Sequence, residues 1–408
     1  MKYIILLGDG MAGRPLKKLG NKTCLQYART PNMDKLASEG LVGKVRTVPK
    51  GFEPGSDVAN LSILGYDPKK YYSGRAPVEA AYRGIKLGPK DVAFRCNLVT
   101  LSDSINSSSS VMKDYSAGHI STKEATLLIQ EINKRLGSKD IKFYPGMSYR
   151  HLMIWRNGKD KIKCTPPHDI TGKNVSGYLP KGDGSKIIKE LIGASTDILM
   201  SHPVNLARVK KGLSPASSIW FWGQGRKIPI PTFKSKYGLK GAMISAVDLT
   251  KGLGKLAGFD ILNVRGATGY LDTNYEGKAR AALKALKSVD FVYLHVEAPD
   301  EAGHNGDMNA KIHAIEDFDL KVVGNIIKGM KRFKDFSILL LPDHPTPISI
   351  RTHSDEPVPF VIYRSDKEIS SGAKVKAFSE KICGLKNIIN IDKGYTLMDY
   401  FIGGGDWH

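Results

Sequence analysis

Two hydrophobic patterns alternate along this chain, and their order predicts its architecture. Tyr3 to Leu7 is a continuous apolar run closed by Gly8-Asp9-Gly10. Such a run predicts a parallel-sheet strand buried on both faces, with Asp9 where the strand turns. Thr30-Pro31 through Glu39-Gly40 then reads as a helix, with a Thr cap, Pro at the first helical position and Gly past the end. The same grammar returns late. Asp290 to Val296 predicts a strand, and Asn309 to Met330 carries Ile312, Ile315, Val322, Ile326 and Met330 at helical spacing. Phe336 to Leu341 predicts another strand and Val358 to Tyr363 a further one, with Pro359 favouring its beginning or an edge. Strand, loop and helix in succession indicate an α/β fold.

Between these regions the texture changes. There is a Ser-rich turn at Ser107 to Ser110, a short strand-like piece at Tyr149 to Trp155, and loops at Lys181 to Ser185 and Pro229-Ile230-Pro231. A length of 408 residues exceeds the usual single hydrophobic core. The expectation is therefore a discontinuous domain, 1–84 and 220–408, with a second domain, 85–219, inserted in it. If the two ends fold together, acidic residues that follow apolar strands meet at the carboxyl edge of a parallel sheet, where open α/β sheets place their sites.

Composition narrows the function classes. No apolar run approaches the roughly 20 residues that span a bilayer, and the opening one is too short for a signal peptide. Cys24, Cys96, Cys164 and Cys383 are scattered without a Cys-x-x-Cys pair, which argues against a zinc knuckle or a redox motif. A cytoplasmic location and no membrane association are expected. The formal charge of +21 suits a polyanion, but the lysines are spread and no basic stretch is interleaved with aromatics. Small acidic substrates also gain from a positive field, and no nucleic acid is expected. A nucleic-acid binder, the rival class, predicts steeply salt-dependent binding that survives chelation.

The chemistry concentrates in the last third. Asp300 and His304 lie four apart, Asp343-His344 follows the apolar run Ile338 to Leu341, and His353 precedes a strand. Each is a hard oxygen or imidazole donor, and two divalent ions can clamp the attacking and leaving oxygens of a phosphate. Singly these are ordinary turn or surface residues; as a set they indicate metal-dependent phosphoryl transfer. Ser56, in Gly55-Ser56-Asp57-Val58-Ala59-Asn60, is the candidate nucleophile, and also reads as an N-cap for Asp57 to Leu64. The two readings are compatible, because a helix N-terminus stabilises a phosphate dianion. Mixed carboxylate and imidazole donors suit Mn²⁺, Zn²⁺ or Co²⁺ better than Mg²⁺.

Taken together, Leu7 to Ala12, Gly55 to Tyr66, Pro299 to His304, Pro342-Asp343-His344 and His353 to Pro359 resemble the archaeal type of cofactor-independent phosphoglycerate mutase, in the alkaline phosphatase superfamily. The resemblance runs the length of the chain. It implies an alkaline-phosphatase-like α/β core, a mostly parallel sheet flanked by helices, with a smaller inserted α/β substrate domain. It also implies two divalent ions, Mn²⁺ first and Mg²⁺, Zn²⁺ or Co²⁺ as alternatives, and no 2,3-bisphosphoglycerate. Asp9, Ser56, Asp343 and His344 resemble the ligands of one ion, and Asp300, His304 and His353 those of the other. By the same resemblance Ser56 is phosphorylated and dephosphorylated in each turnover.

The implied reaction interconverts 3-phosphoglycerate and 2-phosphoglycerate in glycolysis and gluconeogenesis, with closure of the two domains excluding water. A phosphatase, or a mutase acting on another phosphorylated metabolite, is the alternative within the superfamily. Cations are needed to grip the glycerate carboxylate. The candidates for substrate binding are Arg75, Arg95, Asp114, His119, Arg150 and His151, with Lys240 near the domain junction. The chain is shorter than the bacterial enzymes and has Asp57-Val58-Ala59 where they have Glu-Val-Gly, which leaves the nucleophile untouched. The pattern leaves room for a homo-oligomer.

Overall fold

The first apolar run forms the strand Lys2–Gly8, and its neighbours explain why the site forms where it does. It lies between Phe291–Val296 and Phe336–Leu341, both parallel to it, with Gly8 beside Val296 and Leu7 beside Leu341. Three strands from distant parts of the sequence therefore end at one edge, and the residues that follow them become neighbours. The computed structural model describes residues 1–103, 109–366 and 375–403, so Ser107 and Ser108 of the expected Ser-rich turn lie outside the described residues.

By its contacts the chain divides into two units, Met1–Tyr72 with Pro229–His408, and Ser73–Ile228. The sequence reading set these boundaries near 85 and 220. Helix Arg75–Tyr82 goes with the second unit because Ala76 and Ala80 pack against Ala93, Leu152 and Ile154 of its sheet.

The first unit is built on an eight-stranded sheet flanked by helices. It is mostly parallel, the exception being Val358–Arg364, which runs antiparallel to Phe336–Leu341 and to Leu41–Val45. Pro359 is the second residue of that strand, before its pairing with Phe336–Leu341 begins at Val361, so its missing N–H interrupts no bond on that side. On one face Val292, Leu294 and Val296 join Ile4, Leu6, Ile338 and Leu340 in a core closed by Ile315, Val322 and Ile326. The apolar stripe from Asn309 to Met330 is continuous as expected, but Phe318–Val323 within it is π-helical. Thr30 precedes the helix Pro31–Glu39 without capping it through its side chain; its hydroxyl donates to Asp34 instead.

The second unit is an antiparallel sheet around Val92–Leu101, which is buried along its whole length between Arg150–Trp155 and Ser218–Arg226. Helices Thr122–Leu136 and Ser185–Met200 bury their apolar stripes on it, through Leu128, Ile129, Ile132, Ile188 and Ile192. Lys181 and Gly182, read as loop, make a two-residue pairing with Ile162 and Lys163. No helix among the described residues is long and apolar enough to cross a membrane.

Candidate active site

Asp9 follows the first strand, Asp300 and His304 sit on the helix Ala298–Asn305 that follows the second, and Asp343-His344 follows the third. The amide of Asp9 donates to Val296 O at 2.9 Å, tying two of these ends together. Buried Lys311 stitches the loops further, donating to Gly10 O at 2.7 Å, Ala12 O at 3.2 Å and Thr346 O at 2.7 Å. Gly10 has φ +56°, and a Cβ there would lie 2.3 Å from Asp300 Oδ1, so only glycine lets the loop pass this carboxylate.

Ser56 is the first residue of the helix Ser56–Ile63. The N-cap is Gly55 and no side chain caps the helix, so the capping role expected of Ser56 is not what the structure shows. Its hydroxyl points instead at His344, with Oγ 3.0 Å from Nε2. The same Nε2 lies 3.6 Å from Asp9 Oδ1 and 3.4 Å from Asp343 Oδ2. Asp343 is oriented by the amides of Gly10 and His344 on Oδ1 and by Asn60 Nδ2 on Oδ2; Tyr293 in turn donates to Asn60 Oδ1 at 2.5 Å. Asn60 also holds Ser56 O at 2.7 Å. One amide side chain therefore sets both the nucleophile segment and a carboxylate.

The second group is equally tight. His304 Nε2 lies 3.2 Å from Asp300 Oδ2, His353 Nε2 3.6 Å from Asp300 Oδ1, and the two Nε2 atoms are 2.9 Å apart. Tautomers decide what this means. His304 Nδ1 faces Arg351 O at 3.1 Å and His353 Nδ1 faces Pro54 O at 3.2 Å. A carbonyl only accepts, so both protons sit on Nδ1 and both Nε2 lone pairs converge on one point. His344 follows the same rule. Thr346 Oγ1 donates to Asp300 Oδ1 at 2.5 Å and so accepts from His344 Nδ1 at 3.3 Å, leaving the Nε2 lone pair facing Ser56, Asp9 and Asp343.

Lone pairs and carboxylates aimed at common points are the chemistry of cation sites. Asp9, Asp300 and Asp343 are all buried, and Asp9 Oδ1 has no hydrogen-bond partner among the described residues. Burial first, then the charges of Asp343, Asp300 and Glu297, pushes the Asp9 carboxyl well above the usual carboxylate range. Burial works to raise Asp300 too, but His304 and His353, when each carries a second proton on Nε2, outweigh it and hold that carboxyl well below the range. Asp300 with His304 and His353, and Asp9 with His344 and Asp300, each have ligand atoms close enough to share one ion. The residues fit two divalent cations. All seven residues expected from the sequence as nucleophile and metal ligands are brought into this one region.

The chain is 52% identical over 402 residues to a probable 2,3-bisphosphoglycerate-independent phosphoglycerate mutase of Geobacter sulfurreducens, an alignment covering 98% of this chain and all of that one. It belongs to the 2,3-bisphosphoglycerate-independent phosphoglycerate mutase family. The model of that family matches residues 37–205. The mutase of Methanosarcina mazei is 55% identical over 383 residues, covering 93% of this chain and 94% of its own. Among solved structures, the cofactor-independent phosphoglycerate mutase of Thermoplasma acidophilum superposes with a TM-score of 0.66 at 29% identity, over 99% of both chains. A protein from Pyrococcus horikoshii gives 0.82 at 29% identity, over 100% of this chain and 98% of that one. Membership of the mutase family makes this chain an isomerase.

The expected substrate-binding residues of this mutase divide in two. In the inserted unit, Arg95 is buried, pairs with Glu79 at 2.7 Å and lies over Trp222 at 4.2 Å. His168, unnoticed in the sequence, stands edge-on to Trp222 at 5.1 Å and to Tyr115 at 6.1 Å, and Tyr115 meets Tyr149 at 5.7 Å. Arg150 covers Tyr149 at 5.3 Å, and His119 meets the same ring at 6.2 Å. Burial, then the charges of Glu79, Arg75 and Arg150 acting in opposite senses, perturbs the Arg95 guanidinium downward, so these arginines share one electrostatic neighbourhood. Aromatic rings thus gather Arg95, Arg150 and His119, with Arg75 near enough to Arg95 for their charges to interact.

Asp114 and His151 do not join them, and Lys240 belongs to the first unit. Asp114 directs its carboxylate to the Ser116 amide and hydroxyl and the Gly118 amide, shaping a turn. Lys240 pairs loosely with Asp260 at 3.9 Å, and its carbonyl receives the amides that open the Phe291–Val296 strand. That is the amino edge of the sheet, a strand's length from Asp9 and Asp343. His151 is next to Arg150 on a strand, so it faces the other way. It is buried, takes the Gly146 amide on Nδ1 at 2.8 Å, and burial pushes its pKa down to about 3.

His151 carries a stability prediction instead of a binding one. Its folded pKa lies below the usual 6.5, so the unfolded chain binds the extra proton and stability falls as pH drops from about 6.5 toward 3. At pH 5 this is worth about 2 kcal/mol. His151→Asn keeps an acceptor for Gly146 and removes the titration. Its urea-unfolding stability is expected to fall less than the wild type's between pH 7 and 5; parallel pH profiles would exclude the assignment.

Proposed function

We propose that this protein interconverts 3-phosphoglycerate and 2-phosphoglycerate through a phosphorylated Ser56, at a site holding two divalent ions, without 2,3-bisphosphoglycerate. The observation that carries this reading is the placement of Ser56 Oγ, 3.0 Å from His344 Nε2, where the Asp9, Asp343 and His344 donor atoms converge. A serine hydroxyl is a weak nucleophile at neutral pH. The ions, Mn²⁺ first by the mixed donor set, supply Lewis acidity that lowers its pKa and offsets phosphate charge. Asp9, Ser56, Asp343 and His344 would hold one, and Asp300, His304 and His353 the other.

The chain's own residues do the rest. Asn60 fixes the serine segment through Ser56 O and the carboxylate of Asp343 at once. Ser56 opens the helix Ser56–Ile63, whose dipole favours a phosphate dianion at that end. Ser56 is half-buried, within reach of a substrate, whereas Asp9, Asp343 and His344 are fully buried. The phosphoryl group passes from one glycerate oxygen to Ser56, and the other hydroxyl of the retained glycerate takes it back. Arg75, Arg95 and Arg150 are assigned the substrate's carboxylate. Arg95 suits this because Glu79 and Trp222 hold its guanidinium in one orientation before substrate arrives. We place the activity in the cytoplasm, consistent with four free thiols.

Purified protein supplied with 3-phosphoglycerate is expected to yield 2-phosphoglycerate and little free phosphate; phosphate release alone would assign a phosphatase. Arg75→Gln and Arg95→Gln are each expected to lower kcat/KM by roughly 10- to 100-fold, the worth of a charge-assisted hydrogen bond. The change should fall mainly on KM. An unchanged KM in both variants would remove these arginines from the substrate site.

A further inference from the structure

His295 stands apart from the other site histidines. It lies in the Phe291–Val296 strand, is fully buried, and its Nε2 is 2.8 Å from Asp9 Oδ2. With Asp9 and Asp343 its ligand atoms are close enough to hold a cation. Its tautomer argues otherwise. Asp9 in the ionised form that ligates a cation only accepts, so His295 Nε2 carries the proton, and its lone pair is on Nδ1, 3.2 Å from Ser245 Oγ. That lone pair can only accept, so Ser245 Oγ donates its proton to His295 Nδ1 while accepting the Val247 amide at 3.0 Å. The chain of donors therefore runs one way, from Val247 N–H through Ser245 and His295 to Asp9. This is the reverse of His304, His344 and His353, whose Nε2 atoms present lone pairs.

We infer that His295 is a positioning residue: with Ser245 behind it, it holds Asp9 Oδ2 by a hydrogen bond, so that Asp9 offers only Oδ1 to the ion shared with Ser56, Asp343 and His344. Asp9 Oδ1 is the oxygen that lacks a hydrogen-bond partner among the described residues and faces His344 Nε2 at 3.6 Å. Neighbouring contacts reinforce the arrangement, because Lys278 Nζ donates to His295 O at 3.3 Å and fixes the strand at that residue. Groups that orient ligating side chains in this way commonly contribute 10- to 100-fold to metal affinity. The inference rests on the two-ion reading of the site.

The test is Mn²⁺ titration of the chelator-stripped full-length protein, with free Mn²⁺ followed by electron paramagnetic resonance. Wild type is expected to bind two ions; if it binds none, the two-ion reading itself fails. His295→Leu is expected to weaken one ion by about 10- to 100-fold and leave the other within about twofold. His295→Gln, whose amide nitrogen can donate from nearly the same position, is expected to restore most of that loss. Ser245→Ala, the mildest change, should cost about 3- to 10-fold at the same ion. Wild-type affinity at both sites in His295→Leu would overturn the inference. So would equal losses in His295→Leu and His295→Gln, which would mean that the ring nitrogen itself coordinates the ion.

Discussion

Ser56→Ala is expected to lower mutase turnover by at least about 10⁴-fold, as loss of a nucleophile does when the surrounding site persists. The substitution removes one oxygen, which is hydrogen-bonded to His344 Nε2. Ser56 is half-buried at the first position of its helix, where alanine is well tolerated. Folding stability is therefore expected to change by less than about 1 kcal/mol. Asp9, Asp343 and His344 keep their orienting partners, so the ion they share should weaken without being lost. The decisive companion is mass spectrometry of wild-type protein quenched during turnover, in which the peptide containing Ser56 should carry one phosphate. Retained mutase activity in Ser56→Ala, or a phosphate elsewhere, would refute the assignment.

Removal of divalent ions is expected to have the next largest effect. Exhaustive chelation should lower activity by at least about 10³-fold, since charge stabilisation of the phosphoryl oxygens is lost together with activation of the serine. It should also destabilise the first unit. The site in that unit buries the carboxylates of Asp9, Asp300 and Asp343, and aims the Nε2 lone pairs of His304 and His353 at each other across 2.9 Å. If each ion is supplied at about 100 times its Kd, the two together contribute about 5 kcal/mol, which corresponds to roughly 10 °C or more in Tm. Mn²⁺ should restore both activity and Tm. Unchanged activity after metal content has been shown to be nil would sink the two-ion reading. Asp300→Asn offers a narrower check, because it touches the His304 and His353 group directly and should mimic loss of one ion.

Much of the site was legible because strand ends are marked in sequence. Asp9, Asp300, Asp343 and His344 each come within a few residues after an apolar run that became a strand of the same sheet. Ser56 was marked by its glycine-preceded helix start, although the helix is capped by Gly55 and not by the serine. His295 escaped notice inside a run that reads as core. Its signal was there: Tyr293 and His295, two apart in Phe291–Val296, share one face and both carry a polar tip, whereas Val292, Leu294 and Val296 face the core. In the inserted unit short motifs misled for a different reason. Adjacent residues on a strand point to opposite faces, so Arg150 and His151 could not both reach one ligand. Nothing local distinguishes which of the two faces water.

The sequence by itself determined the element types, the α/β class and the residue types able to hold cations, because those follow from local periodicity and from donor chemistry. Only the tertiary structure decided how these donors act. Pairing of Lys2–Gly8 with Phe291–Val296 and Phe336–Leu341, far downstream in the sequence, made neighbours of Asp9, Asp300 and Asp343. Backbone carbonyls at Pro54 and Arg351 and the Thr346 hydroxyl then set three imidazoles to present lone pairs. Asp9 and Ser245 set a fourth, His295, the opposite way. A histidine's tautomer depends on what its two nitrogens meet in space, and sequence position does not encode that.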